Sequence, residues 1–207
     1  MKTLTKEKQR KITPNEAIEL LRRGNERFLN NLRLNRNLLQ QVNETAEGQY
    51  PFATILNCID SRTPAELIFD QGLGDIFSVR IAGNIINDDI LGSLEFSCKL
   101  AGSKLIMVLG HTSCGAIKGA CDKAELGHLT TLLKKIEPAI HEKKLQESSN
   151  PECNLEFIDD VAKLNVKHSM KEIKEKSPVL KELIEQGQIG LIGGLYDIAT
   201  GEVDFFE

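Results

Sequence analysis

Two cysteines and one histidine stand where polar residues follow apolar runs of the chain. Cys58 comes shortly after the apolar residues 52–56, and His111 and Cys114 come shortly after the apolar residues 104–109. Zinc favours thiolate and imidazole ligands, and a catalytic zinc site takes three ligands from the protein and keeps a fourth position open. The set therefore predicts one Zn²⁺ per chain, although a tight turn accounts for the spacing of His111 and Cys114 equally well.

A carboxylate and a guanidinium lie close to Cys58 in the string Cys-Ile-Asp-Ser-Arg. Two thiolates donate more charge to zinc than imidazoles do, so a water on the metal is acidified less and a nearby proton acceptor becomes useful. We predict that Asp60 is this acceptor and that Arg62 holds it by two parallel hydrogen bonds. If Arg62 releases it, Asp60 can bind the metal as a fourth ligand and close the site. The structural alternative is an ordinary loop ion pair, which contributes little.

These residues need a fold that brings two strand ends together, and the hydrophobic pattern predicts one. Strands are expected at residues 52–56, 76–81, 104–109, 189–195 and 202–206. Helices are expected at residues 64–71, 89–100, 116–145, 154–176 and 178–187, with a turn at residues 147–151. This alternation predicts an α/β fold, with four parallel strands plus an antiparallel C-terminal edge strand, flanked by helices. Ligands of such sheets bind beyond the carboxyl ends of the strands, where Cys58 and His111 are expected.

The residues ahead of the first strand predict an N-terminal helical arm. Apolar residues recur among charges from Pro14 onward, and the arm is expected at about residues 14–40. A chain of 207 residues, of which 41% are hydrophobic and 27% charged, is long enough for a normal core. We therefore expect a single domain spanning residues 1–207.

Charge and cysteine content limit the classes of partner. A net charge of −4 without a long basic block argues against nucleic-acid binding, and the apolar runs are too short to span a membrane. Five cysteines are an odd number, which favours reduced thiols or metal ligands over a disulfide framework. We expect a soluble cytoplasmic protein that acts on a small molecule.

Three motifs, in this order, resemble the signature of the β-carbonic anhydrases. They are Cys58-x-Asp60-x-Arg62, Arg80-x-Ala82-Gly83-Asn84 and His111-x-x-Cys114-Gly115. The similarity runs over about residues 49–119, and residues 191–206 resemble the last strands of the family. The resemblance implies a zinc enzyme, built as a homodimer or a dimer of dimers, that interconverts carbon dioxide and bicarbonate. It implies that Cys58, His111 and Cys114 bind zinc, and that Asp60, held by Arg62, orients or deprotonates the zinc water.

The resemblance also implies roles for residues around the metal. The backbone N–H of Gly115 helps to bind bicarbonate, and Gln49 matches a glutamine that hydrogen-bonds the substrate across the subunit interface. Phe77 matches an aromatic residue of the apolar carbon dioxide pocket. Phe96 stands where plant-like members often have tyrosine, so it is expected only to line the pocket. Arg80 is expected to form a structural salt bridge.

The predicted reaction is the attack of a zinc-bound hydroxide on carbon dioxide, which gives bicarbonate and a proton. The same nucleophile could attack carbonyl sulfide or carbon disulfide, so a hydrolase of these substrates on the same scaffold is the alternative. A structural zinc protein would need a fourth strong ligand, and the sequence offers only Asp60. An interaction module would leave the converging ligands unexplained.

Overall fold

A five-stranded sheet lies at the centre of the computed structural model, which describes residues 3–146 and 152–207. The strands are β1 (Ala53–Asn57), β2 (Ile76–Arg80), β3 (Leu105–His111), β4 (Gly190–Tyr196) and β5 (Val203–Phe206). They lie in the order β2-β1-β3-β4-β5; the first four are parallel, and β5 is antiparallel to β4. The predicted α/β fold with an antiparallel C-terminal edge strand is confirmed.

Three of the described helices precede β1 in the chain, the others lie between the strands, and together they cover both faces of the sheet. They are α1 (Lys6–Lys11), α2 (Pro14–Leu29), α3 (Leu38–Thr45), α4 (Ala65–Ile68), α5 (Asp88–Glu95), α6 (Gly115–Cys121), α7 (Gly127–Leu133), α8 (Glu137–Gln146), α9 (Leu155–Lys176) and α10 (Pro178–Glu185). A π-helical turn, Phe96–Leu100, continues α5. Among the helices described, none has the length and apolar character needed to cross a membrane.

Two predicted helical stretches are divided in the structure. Residues 116–145 fall in α6, α7 and α8. The break between α6 and α7 lies at Lys123 and Gly127, whose positive φ angles of 53° and 43° cannot continue a right-handed helix. A short turn at residues 134–136 separates α7 from α8. The N-terminal arm is present as α2 and α3, and Asn31, with a φ of 54°, follows the end of α2. The predicted turn at residues 147–151 lies outside the described residues.

Apolar side chains of β1 and β3 alternate between clusters on the two faces of the sheet. Ile55 and Met107 join the cluster that includes residues of α2 and α4, whereas Leu56 and Val108 join the cluster that includes residues of α5, α9 and α10. All seven residues of β3 are buried, as expected for a parallel strand covered on both faces. Because β1 and β3 are parallel neighbours, their carboxyl ends meet at one edge of the sheet.

Helix α2 passes so close to the backbone after α4 that Gly24 leaves no room for a side chain. A Cβ at Gly24 would lie 1.8 Å from the carbonyl oxygen of Phe69. We expect Gly24→Ala to lower the free energy of unfolding in urea by about 1–3 kcal/mol. Gly92→Ala is the matched helical control: beyond its chain neighbours and the backbone of its own helix, no described atom would lie within 4 Å of its Cβ, and it should add about 0.5–1 kcal/mol. Equal stability of Gly24→Ala and the parent would contradict this close packing.

Candidate metal centre

The two cysteines and the histidine meet at the carboxyl ends of β1 and β3. Cys58 directly follows β1, His111 is the last residue of β3, and Cys114 directly precedes α6. One ligand atom from each side chain lies within 4.8 Å of the other two, and all three residues are buried. Two sulfurs and one imidazole nitrogen at these separations form a donor set that suits zinc.

The imidazole of His111 is oriented by a hydrogen bond to the backbone. Its Nδ1 lies 2.9 Å from the carbonyl oxygen of Thr112. A carbonyl oxygen only accepts, so Nδ1 carries the proton and Nε2 keeps its lone pair. Nε2 is buried and has no hydrogen-bond partner among the described residues, which is costly for a polar atom. A metal ion would satisfy Nε2, and a hydrogen bond on the other ring nitrogen is the usual arrangement for a metal-binding histidine.

The two thiols shift each other's pKa in this arrangement. The hydrogen bond between them lowers the pKa of Cys58. The same hydrogen bond, together with burial, raises the pKa of Cys114. The backbone N–H of Gly83 donates to Sγ of Cys58 at 3.4 Å and further stabilises the thiolate. A cation bound here would displace the thiol protons, because the thiolate is the form that binds metal.

Asp60 and Arg62 form a two-pronged ion pair beside these ligands. Nε of Arg62 donates to Oδ1 of Asp60 at 2.9 Å, and Nη2 donates to Oδ2 at 2.7 Å. The hydrogen bonds from Arg62 hold the pKa of Asp60 far below its usual range. Asp60 is therefore a carboxylate at neutral pH, and its Oδ2 lies 4.0 Å from Nε2 of His111.

Arg80 supports the loop that carries Cys58 and Asp60. Its Nε donates to the carbonyl oxygen of Cys58 at 2.9 Å, and its Nη2 donates to the carbonyl oxygen of Asp60. The sequence suggested a salt bridge for this arginine. The structure instead uses its guanidinium to satisfy backbone carbonyls beyond the end of β1, where the ladder of strand hydrogen bonds has stopped.

A cavity of about 290 Å³ opens beside Cys58 and Asp60. Its lining consists of Cys58, Ile59, Asp60, Ala82, Gly115, Ala116, Gly119, Leu129 and Leu133. Gly115 was predicted here, whereas Leu129 and Leu133 were missed because their spacing in α7 is that of any packed helix. A larger cavity of about 650 Å³, between α6, α7 and α8, has none of the predicted site residues in its lining. The donor chemistry therefore favours the smaller cavity.

Three predicted substrate-binding residues lie elsewhere on the chain. Phe77 pairs with Thr54 of β1, four residues before Cys58 and so about 13 Å back along the strand. The rings of Phe77 and Phe96 meet edge-on with centroids 6.3 Å apart, and Phe96 is 54% exposed. Gln49 lines a separate surface depression ahead of β1. A single chain does not bring these three side chains into the lining of the cavity at Cys58.

Most of the chain is similar to carbonic anhydrases. A sequence model of the carbonic anhydrase family matches residues 53–203. The carbonic anhydrase of Mycolicibacterium smegmatis is 31% identical over 197 residues, covering 92% of each chain. The solved β-carbonic anhydrase CcaA aligns with a TM-score of 0.73 at 28% identity, over 93% of this chain and 94% of that one. A chain from the structures of two tetrameric β-carbonic anhydrases of Sordaria macrospora aligns with a TM-score of 0.71 at 26% identity. The alignment covers 77% of this chain and 82% of that one.

The matched region contains the three predicted metal ligands and the predicted Asp60–Arg62 pair. Cys58, Asp60, Arg62, His111 and Cys114 all lie within residues 53–203, and the sheet that brings them together aligns with solved β-carbonic anhydrases. The resemblance carried by the three motifs is confirmed. The chain belongs to the β-carbonic anhydrase family of enzymes.

Proposed function

We propose that the protein catalyses the reversible hydration of carbon dioxide to bicarbonate and a proton, with one zinc ion per chain held by Cys58, His111 and Cys114. The observation that carries the proposal is the convergence of these three donors within 4.8 Å, beside the carboxylate of Asp60 and an open cavity. When bound, zinc supplies a Lewis acid that lowers the pKa of a water at its fourth position and so provides the nucleophile.

Asp60 and Arg62 are proposed to act together on that water. The depressed pKa of Asp60 keeps it ionised, so it accepts a hydrogen bond and fixes the direction of the water's lone pairs. The same low pKa makes Asp60 a weak base, and orientation is therefore its larger contribution. Gly115 lines the cavity as the first residue of α6. Its N–H belongs to the first turn, where backbone donors lack helical partners, and we assign it to a bicarbonate oxygen.

A homodimer, or a dimer of dimers, is proposed to complete the pocket. Gln49, Phe77 and Phe96 lie away from the cavity of their own chain, so a second chain would supply them to hold carbon dioxide and hydrogen-bond the substrate. Large apolar side chains are exposed in two of these regions, including Leu39 at 78% on α3 and Leu100 at 75% after Phe96. Exposed apolar side chains of this size are typical of an interface, and the related Sordaria enzymes are described as tetrameric.

A closed state is also proposed, in which Arg62 releases Asp60 and the carboxylate becomes the fourth ligand. Asp60 is close enough to His111 for a side-chain rotation to achieve this, and its pairing with Arg62 corresponds to the open state. Hydroxide competes with the carboxylate for the same position, so we expect activity to rise steeply with pH. Crystals grown at low and at high pH would show Asp60 on zinc and off zinc, respectively. Water on zinc at every pH would contradict the closed state.

Metal analysis combined with stopped-flow kinetics tests the proposed reaction. We expect one zinc per chain and carbon dioxide hydration that is lost on chelation and restored by zinc. Release of hydrogen sulfide from carbonyl sulfide and carbon disulfide, measured in parallel, decides between the proposed reaction and the predicted alternative. Activity in a metal-free protein would refute the zinc assignment. The cytoplasmic location and the single domain spanning residues 1–207 stay predictions.

A further inference from the structure

The loop that joins two of the ligands turns through a backbone conformation that its sequence does not favour. Ser113 lies between His111 and Cys114 and has a φ of 53°. This left-handed region is disfavoured for residues with a Cβ, and serine lacks the amide or carboxylate with which Asn and Asp tolerate it. Only two residues separate the ligands, so the turn at Ser113 sets the angle between their side chains.

A carboxylate from another element holds this turn. The backbone N–H of Ser113 donates to Oδ1 of Asp159 at 2.6 Å, across 46 residues of sequence. Asp159 lies near the start of α9, which is capped by Asn154 and packed through the buried Phe157 and Ile158. A hydrogen bond to an ionised acceptor is stronger than a neutral one, and a rigid helix delivers it. Strained backbone persists only where its surroundings impose it, and Asp159 is such a constraint.

The same helix also fixes the loop beside the third ligand. Nδ2 of Asn165 donates to the carbonyl oxygen of Gly83 at 2.7 Å, and Oγ of Ser169 donates to the carbonyl oxygen of Asn84 at 2.9 Å; both hydrogen bonds are buried. Gly83 in turn donates its N–H to Sγ of Cys58. The loop that carries His111 and Cys114 and the loop that contacts Cys58 are therefore both tied to one rigid helix, α9.

We propose that Asp159 is a positioning residue of the metal centre. It acts through the amide of Ser113 and keeps His111 and Cys114 aimed at one point before the metal arrives. This inference rests on the proposed zinc site. The free protein then has less conformational freedom to lose when the metal binds. Loss of the hydrogen bond should therefore lower the metal affinity, separately from any change in the stability of the fold.

Zinc affinity of the whole protein, measured by competition with a chromophoric chelator, tests this role. Asp159→Ala is expected to weaken binding about 10–100-fold, the usual range for the loss of an outer-shell partner. Asp159→Asn keeps an acceptor oxygen, but a neutral hydrogen bond is about half as strong, so we expect a loss of about 3–10-fold. Asp160→Ala is the matched control on α9: that carboxylate pairs with Lys143 at 2.6 Å, and its removal should leave the affinity unchanged.

A spectrum and a second-site change separate positioning from a general loss of structure. In the cobalt-substituted protein, Asp159→Ala should alter the thiolate-to-metal charge-transfer and ligand-field bands, whereas Asp160→Ala should not. Ser113→Gly in the Asp159→Ala background should recover affinity, because glycine adopts positive φ freely, and circular dichroism checks that each variant folds. Parental affinity and spectrum in Asp159→Ala, or an equal loss in Asp160→Ala, would overturn the proposal. A parent that binds no zinc would refute the proposed function instead.

Discussion

Cys58→Ala is expected to lose zinc and to lower the rate of carbon dioxide hydration by on the order of 10³-fold or more, towards the uncatalysed rate. Cys58 directly follows β1, and its sulfur is one of the three donor atoms that lie within 4.8 Å of one another. Its removal leaves one thiol and one imidazole, fewer protein ligands than a catalytic zinc site uses. Metal content per chain and stopped-flow hydration measure the two losses together.

A buried cysteine away from the site provides the control for this change. Cys98 packs in the cluster formed with α5 and α10, and burial raises its pKa to about 11, so it is a neutral, packed thiol. Cys98→Ala deletes the same atom from a similarly buried position and should keep zinc and activity, with only a loss of stability. One zinc per chain and the parental rate in Cys58→Ala would remove this residue from the ligand set.

The three proposed ligands could be selected from the sequence because each belongs to a short motif at the end of an apolar strand. At the end of the third strand, where the predicted boundary differs from the observed one, pairing with a distant strand explains the difference. The pattern ends the third strand at residue 109, whereas β3 continues to His111 because His111 pairs with Tyr196 of β4. That pairing partner lies far along the chain and carries no local signal. It extends the strand up to the ligand and so makes His111 part of the sheet.

The supporting residues were not predictable, since they depend on how distant elements pack. Asp159 is one of many charged residues on α9, and its role follows only from the contact with Ser113. Leu129 and Leu133 line the cavity, but their spacing does not distinguish them from other packed leucines. The sequence thus indicates the candidate residues for the chemistry, whereas packing determines which residues hold them in place.

Asp60→Asn is expected to keep zinc and to lower kcat/KM for carbon dioxide by about 10²-fold or more, the size of effect expected when a reacting group loses its orientation. The amide has the shape of the carboxylate, but one of its two oxygens is replaced by an NH₂ group, which donates hydrogen bonds. Paired with Arg62, which only donates, it can present an NH₂ group where the water needs an acceptor. Asp122→Asn is the matched control, because Asp122 pairs with Lys118 on an exposed helical turn and should leave the rate unchanged.

The stability of the Asp60 variant should also depend on pH in a defined direction. Hydrogen bonds from Arg62 depress the pKa of Asp60 in the folded protein. Their contribution is therefore present above the unfolded pKa of about 4 and is lost as pH falls through the folded value. Urea unfolding should show the parent as more stable than Asp60→Asn at neutral pH, with the difference shrinking in acid. A full hydration rate in Asp60→Asn, or a stability difference that grows as pH falls, would show that Arg62 does not hold a catalytic carboxylate.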